Sequence, residues 1–207
     1  MADTTPAWER VRGIVPVSLC DWPGKIVCVL FAGGCNLRCP TCHNPTLAWN
    51  WQMLPTLGRD GVLTDLRRRR RWLDGLTLSG GEPTALEGLE ELLNDLAAAG
   101  LPIKLDTNGS APAVLERLLR AGLVQTLAVD VKGPWELYPD LTGQTMSAMD
   151  ALGRLEQIFE LAREFPDRIY FRCTKVPRLS EADLVRTRAQ VPSDLPLVFQ
   201  DFVPAMT

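Results

Sequence analysis

Short apolar runs rich in β-branched residues alternate along this chain with segments of helical period. That alternation dictates a parallel sheet, because parallel neighbours need long crossovers and helices supply them. The runs lie near residues 26–33, 75–79, 102–106, 124–131, 168–174 and 196–203. Between them Leu86, Leu89, Leu92, Leu93 and Leu96 recur at helical spacing. So do Val114, Leu115, Leu118 and Leu119, and further on Leu152, Leu155, Ile158, Phe159 and Ala162. Each stripe is expected to pack on the sheet. Helix starts are marked by Thr84-x-x-Glu87, Ser147-x-x-Asp150 and Ser180-x-x-Asp183, where a hydroxyl and a carboxylate can satisfy free backbone donors reciprocally.

A closed eight-unit (β/α) barrel typically takes about 250 residues. This chain has 207, and no strand signal stands in its first two dozen. The expected fold is therefore α/β: a partial, laterally open barrel of six β/α units. A single domain spans residues 1–207, with 1–24 an extension before the first barrel strand. The final run, Leu197 to Val203, leaves no room for a covering helix. In such folds reactive groups collect on the loops after the strand C-termini.

Composition narrows the functional classes. Apolar residues at 46% and charged residues at 23% are ordinary for a globular chain. A net charge of -3 brings no basic excess, so nucleic acid is not an expected partner. The N-terminus has no basic stretch leading into an apolar run, and no segment approaches the roughly 20 apolar residues of a membrane span. The expectation is a cytoplasmic protein without a membrane partner. Six cysteines in a reducing compartment point away from a disulfide scaffold, and three of them clustered at 35, 39 and 42 point to metal.

Those three follow the first barrel strand directly, in FAGGCNLRCPTCHNP, so Cys35, Cys39 and Cys42 form a C-x3-C-x2-C loop. Three thiolates can cap three irons of a cubane and leave the fourth iron open to a small ligand, whereas four would saturate a purely electron-transferring cluster. Structural zinc is the plainer reading. It is weakened because Cys42 and His43, adjacent in sequence, make a poor pair in one tetrahedron.

C-x3-C-x2-C after the first strand resembles the radical S-adenosylmethionine (SAM) signature. The fuller string DWPGK…FAGGCNLRCPTCHNP is similar to the glycyl-radical-enzyme activating branch, in particular to anaerobic ribonucleoside-triphosphate reductase activating proteins. The resemblance extends over about residues 20–175. It implies one 4Fe-4S cluster on Cys35, Cys39 and Cys42, with SAM on the open iron through its methionyl amine and carboxylate. One electron then yields methionine and a 5′-deoxyadenosyl radical, which takes a hydrogen atom from a glycine of a partner glycyl radical enzyme. No separate catalytic side chain is implied beyond the cluster and the SAM site. A flavodoxin- or ferredoxin-type donor would supply the electron.

The second strand runs into Ser79-Gly80-Gly81-Glu82-Pro83-Thr84. Glycines at such a turn let backbone N–H groups approach a ligand, or simply allow a tight turn. Beside the cysteine loop, Gly80, Gly81, Glu82 and Pro83 resemble the family's GGEP motif, which contacts the SAM amino group. The third strand ends in Asp106-Thr107-Asn108-Gly109 and the fourth in Asp130-Val131-Lys132, so carboxylates at successive strand ends face one mouth of the barrel. The resemblance places Asp106, Thr107, Asp130 and Lys132 beside SAM, with a monovalent cation near its carboxylate. Arg172 sits among apolar residues in IYFRCTKV and requires an anion; the resemblance implies an arginine near the SAM carboxylate or ribose, and an internal salt bridge is the other reading. His43, the one histidine, reads as a hydrogen-bond donor near the cluster. Cys28 and Cys173 read as buried small hydrophobes, and Cys20 has no partner spacing. Arg67 to Arg71 form a run that is either a solvated helix end or a docking patch for an acidic partner. Two other functions compete with the activase: a small-molecule radical SAM enzyme such as 7-carboxy-7-deazaguanine synthase, and a non-enzymatic iron-sulfur or zinc module.

Overall fold

The structure, a computed structural model, describes residues 5–204. Seven strands lie side by side in chain order: β1 (Val11–Ser18), β2 (Val27–Ala32), β3 (Gly75–Gly80), β4 (Ile103–Thr107), β5 (Thr126–Asp130), β6 (Ile169–Lys175) and β7 (Leu197–Asp201). β2 to β7 are parallel and coincide with the six apolar runs. Because β1 and β7 do not pair with each other, the sheet is a partial barrel, open along one side.

β1 corrects the expectation of a strandless N-terminal extension. It pairs antiparallel with β2 at the sheet edge, and its register shifts between Val11 and Gly13 and again between Val15 and Ser18. Gly13 brings no side chain and Pro16 no amide donor, so the segment lacks the usual strand signature and fits only at an edge. The first four residues of the extension lie outside the described residues.

Seven helices accompany the strands: α1 (Pro45–Trp49), α2 (Arg59–Arg69), α3 (Leu89–Ala97), α4 (Pro112–Arg120), α5 (Tyr138–Leu141), α6 (Ala148–Glu164) and α7 (Glu181–Gln190). The leucine stripes do what their period requires. Leu89, Leu92, Leu93 and Leu96 of α3, Leu115, Leu118 and Leu119 of α4, and Leu155, Ile158 and Phe159 of α6 are buried in one core with Leu76, Leu78, Leu105, Val129 and Phe171 of the strands. Truncating any such leucine to alanine costs about 2–5 kcal/mol. No helix among the described residues is long and apolar enough to cross a membrane.

Two of the three marked helix starts form as expected. Ser147 accepts from the Asp150 amide, and Ser180 with Asp183 closes a reciprocal capping box. The third does not. Thr84 sits in a single 3₁₀ turn, Pro83–Ala85, where its amide and hydroxyl both donate to Glu82, and α3 begins only after Gly88 in the left-handed region. The Asp183 carboxyl is held down at about 2, first by the Ser180 hydroxyl and then by its amide and Arg186. Since this value lies below the unfolded one, near about 3.9, the box stabilises fully above that pH and loses its contribution as pH falls toward 2. The gap in urea midpoint between wild type and Asp183→Ala is therefore expected to be largest near neutral pH and to close on acidification through this window. A gap that stays constant down to pH 2 would remove the ionised box from the account.

Strand alternation sorts the sheet into two faces. Leu76, Leu78, Ile103, Leu105, Leu127, Val129, Ile169 and Phe171 join the helix core. The alternate positions of β3 to β6, among them Thr77, Ser79, Lys104, Asp106, Asp130, Tyr170 and Arg172, form a polar inner face, whereas Val27, Val29 and Phe31 of β2 pack there with Trp22.

Candidate active site

β2 ends at Ala32, and Gly33-Gly34 carries the chain into Cys35. β3 ends at Gly80 beside it, and the two strand ends lock together. The Gly81 amide donates to the Ala32 carbonyl and the Glu82 amide to the Gly34 carbonyl, each at 2.8 Å. A Cβ on Gly80, whose φ is +124°, would lie 2.3 Å from the Ala32 oxygen; one on Gly81 would lie 1.9 Å from the Gly34 oxygen. Glycine is therefore required because two backbones touch here. The Gly81 and Glu82 N–H groups are thus spent on this contact rather than on a ligand, and the carbonyl oxygens of the turn remain to meet one.

A cavity of about 530 Å³ opens at the C-terminal ends of the parallel strands, within the usual range for small-molecule sites. Cys35, Cys39 and Cys42 line one side. Gly80, Gly81, Asp106, Thr107, Asp130, Lys132 and Arg172 line the floor and far wall. On the open flank the lining reaches Gln200 and Asp201 of the edge strand β7 and Val203 beyond it.

Glu82 and Pro83 do not line this cavity. Glu82 is fully buried behind the wall, where its carboxylate accepts from the Thr84 amide (3.1 Å) and hydroxyl, from the Thr107 hydroxyl (2.7 Å) and from the Asn108 amide (2.6 Å). Burial raises its pKa against the pull of those donors. The residue ties the turn after β3 to the end of β4.

The inner-face charges form one ladder. Arg172 lies beside Asp130 in the β5–β6 register and contacts its Oδ1 through Nε (3.2 Å) and a terminal nitrogen (3.0 Å). Its other terminal nitrogen stands 3.4 Å from Asp106 Oδ2. The anion that Arg172 requires is thus internal. Lys132 pairs with Asp130 Oδ2 at 2.8 Å, and Ser79 donates to Asp106 Oδ2 at 2.9 Å. Lys104, with no exposed surface, pairs with Asp106 Oδ1. Asp130 is held below the usual carboxylate range because Lys132 and Arg172 outweigh its burial.

All three loop cysteines are free and half-buried. Burial pushes the Cys35 thiol up to about 11, against a hydrogen bond from the Leu37 amide, and it raises Cys42 as well. Without a metal such thiols keep their protons, so metal uptake releases protons here. Among the described residues no three His, Cys, Asp or Glu side chains converge on a single-ion position. Three thiols spread along one cavity wall, with no fourth beside them, fit a cluster in which each of three irons takes one thiolate.

His43 is exposed, and its Nδ1 meets the Val203 carbonyl at 3.0 Å. Cys28 and Cys173 are buried in their strands, and burial pushes their thiols to about 11 and about 12. Cys20 is exposed, beside Ser18 and Asp21. The arginine run closes α2 at the other end of the sheet: the Asp74 amide just after it bonds Ile26 at the start of β2, whereas the cysteine loop follows the end of β2. Arg69 pairs with Asp65 and donates to the Pro16 carbonyl, and the other four arginines are exposed.

Three participants escaped the sequence reading. Asp21 lines the cavity from the DWPG segment, and Asn108 bridges to Asn36 (2.9 Å) next to Cys35. Lys104 was findable, since it stands two residues before Asp106 and hence on the same face.

Comparison with known proteins agrees with this geometry. Residues 29–191 match the model of the radical SAM superfamily. A Methanocaldococcus jannaschii protein named as a glycyl-radical enzyme activating enzyme is 29% identical over 196 residues, 94% of this chain and 80% of that one. A pyruvate formate-lyase-activating enzyme of Clostridium pasteurianum is 34% identical over 181 residues, 84% of this chain and 71% of that one. An anaerobic ribonucleoside-triphosphate reductase-activating protein of Salmonella typhi is 32% identical over 87 residues, 41% of this chain and 55% of that one. Among solved structures, Streptococcus suis SuiB superimposes with a TM-score of 0.60 at 13% identity, over 87% of this chain and 40% of SuiB, a likeness of fold alone. Taken with the three-cysteine loop, these matches show that the chain belongs to the radical SAM superfamily, in its branch of glycyl-radical-enzyme activating enzymes.

Proposed function

We propose that the chain generates a glycyl radical on a partner enzyme, an anaerobic ribonucleoside-triphosphate reductase, using electrons from a flavodoxin- or ferredoxin-type donor. The shape of the cavity carries this reading: it runs from the cysteine loop to the unpaired edge of β7, where Gln200 and Asp201 line it. A peptide loop carrying the target glycine needs such an open flank, whereas a small metabolite is usually enclosed.

In this reading Cys35, Cys39 and Cys42 hold the cluster. The carbonyl oxygens left to the Gly80-Gly81 turn suit the methionyl amine of SAM, and Glu82 and Pro83 fix that turn from behind. Asp106, Thr107, Asp130, Lys132 and Arg172 face the carboxylate and ribose. A cluster bound there would supply the electron for reductive cleavage of SAM to methionine and a 5′-deoxyadenosyl radical, which would take the glycine hydrogen. The polar wall would hold SAM between the cysteine loop and the open flank.

Electron paramagnetic resonance tests the reading. Reconstituted protein with SAM, reductant and the anaerobic ribonucleotide reductase of the same genome is expected to give a glycyl-radical doublet. SAM cleavage with no doublet would overturn the choice of partner. A doublet on a pyruvate formate-lyase instead would move the proposal to that enzyme, and no doublet on any glycyl radical enzyme would return the chain to a small-molecule substrate.

A further inference from the structure

The resemblance brings with it a monovalent cation beside the strand-end carboxylates, yet the ladder in this chain leaves those carboxylates little to offer one. Asp106 Oδ1 accepts from the ammonium of Lys104, and Oδ2 from Ser79 at 2.9 Å with Arg172 3.4 Å away. Asp130 Oδ1 takes both contacts from Arg172, and Oδ2 takes Lys132. Each of the four oxygens thus already faces a protein donor, and at least one donor on each carboxylate is cationic. Asp21, which also lines the cavity, has one of its two oxygens, Oδ2, engaged by Ser18 at 2.5 Å.

Lys104 is the unusual member. It has no exposed surface, does not line the cavity, and points its one charge at Asp106. An ammonium in that place is tolerable only while it is paired, and once paired it takes up one of the two Asp106 oxygens, Oδ1. Burial lowers its pKa, and the neighbouring Asp106 carboxylate opposes that. Lys132 does line the cavity. Its ammonium has three donors, and among the described residues Asp130 is its one side-chain partner.

We infer that this enzyme seats the carboxylate of its ligand without a bound monovalent cation: Lys104 and Arg172 brace Asp106 and Asp130 from within the barrel, and Lys132 presents the positive charge that a metal cation would otherwise bring. Lys104 is here a positioning residue, since it touches Asp106 and not the ligand. The inference rests on SAM as the ligand of the cavity, as in the proposed function, but not on the identity of the partner enzyme.

The test is equilibrium dialysis of SAM against reconstituted wild-type protein in choline, sodium and potassium chloride at equal ionic strength. The dissociation constant is expected to agree within about twofold across the three salts. For Lys104→Met, SAM is expected to bind at least about tenfold more weakly in choline, with sodium or potassium recovering part of the loss. That recovery is a readout which mere loss of core packing would not give. Wild-type binding that falls tenfold or more when choline replaces potassium overturns the inference, and this arm needs no variant to fold. A Lys104→Met protein that binds SAM like wild type in every salt overturns the role of Lys104. Absence of SAM binding in all three salts overturns the ligand reading and this inference with it, whereas cation-dependent binding overturns this inference alone.

Discussion

Replacing Cys35, Cys39 or Cys42 by alanine is expected to take reconstituted protein from about four irons per chain to almost none, and to abolish any spectral change on adding SAM. The size of the effect follows from the donor set. Three thiols line the cavity, and among the described residues no further cysteine lines it to take over a lost thiolate. His43 is turned toward the Val203 carbonyl. Alanine at Cys28 or Cys173 provides the contrast. Both are fully buried strand residues whose thiols burial pushes to about 11 and about 12, so their loss costs packing, about 1 kcal/mol, and leaves iron content unchanged. A normal iron content in any one of the three loop variants would contradict the ligand assignment.

Gly81→Ala is expected to have the next largest effect, for a reason unrelated to metal affinity. The new Cβ would lie 1.9 Å from the Gly34 oxygen and 2.5 Å from its carbonyl carbon, backbone atoms that cannot rotate away. Relief requires parting the turn after β3 from the cysteine loop, which breaks the Glu82 to Gly34 hydrogen bond and shifts Cys35. A loss of about 2–4 kcal/mol is expected, together with poor cluster incorporation. Gly153→Ala is the control, because nothing lies within 4 Å of a Cβ at that position in α6. There alanine gains helix propensity, about 0.5–1 kcal/mol. Thermal unfolding of the two variants side by side measures both signs at once. A Gly81→Ala protein as stable and as iron-rich as wild type would show that the two turns need not touch.

The parts of the fold legible in the sequence are those where one physical signal acts alone. Parallel strands buried on both faces read as apolar runs, so β2 to β7 were visible, and the stripes of α3, α4 and α6 follow from helical period. β1 was not, because its Gly13 and Pro16 erase the strand signal and only pairing with β2 makes it a strand. In the site, the cysteine loop and the aspartates at the strand ends could be placed because their positions follow from the strands that precede them. The direction of a side chain at a turn cannot be read that way. Glu82 turns inward to the Thr84, Thr107 and Asn108 donors, which come together only once β3 and β4 are adjacent. Lys104 was passed over because a charged residue inside an apolar run reads as noise unless period two is followed through to Asp106. The arginine run carries its charge openly, but its distance from the cavity is a property of the sheet and not of the run.

Hydrogen transfer from a glycine Cα is the central claim, and an isotope reports it most directly. A cognate anaerobic ribonucleotide reductase deuterated at its glycine Cα positions would be incubated anaerobically with reconstituted wild-type protein, SAM and reductant, and the 5′-deoxyadenosine analysed by mass spectrometry. The account predicts one deuterium in the product, accumulating in step with the glycyl radical. Abundant 5′-deoxyadenosine that carries no deuterium, with the partner present and the cluster intact, would contradict it.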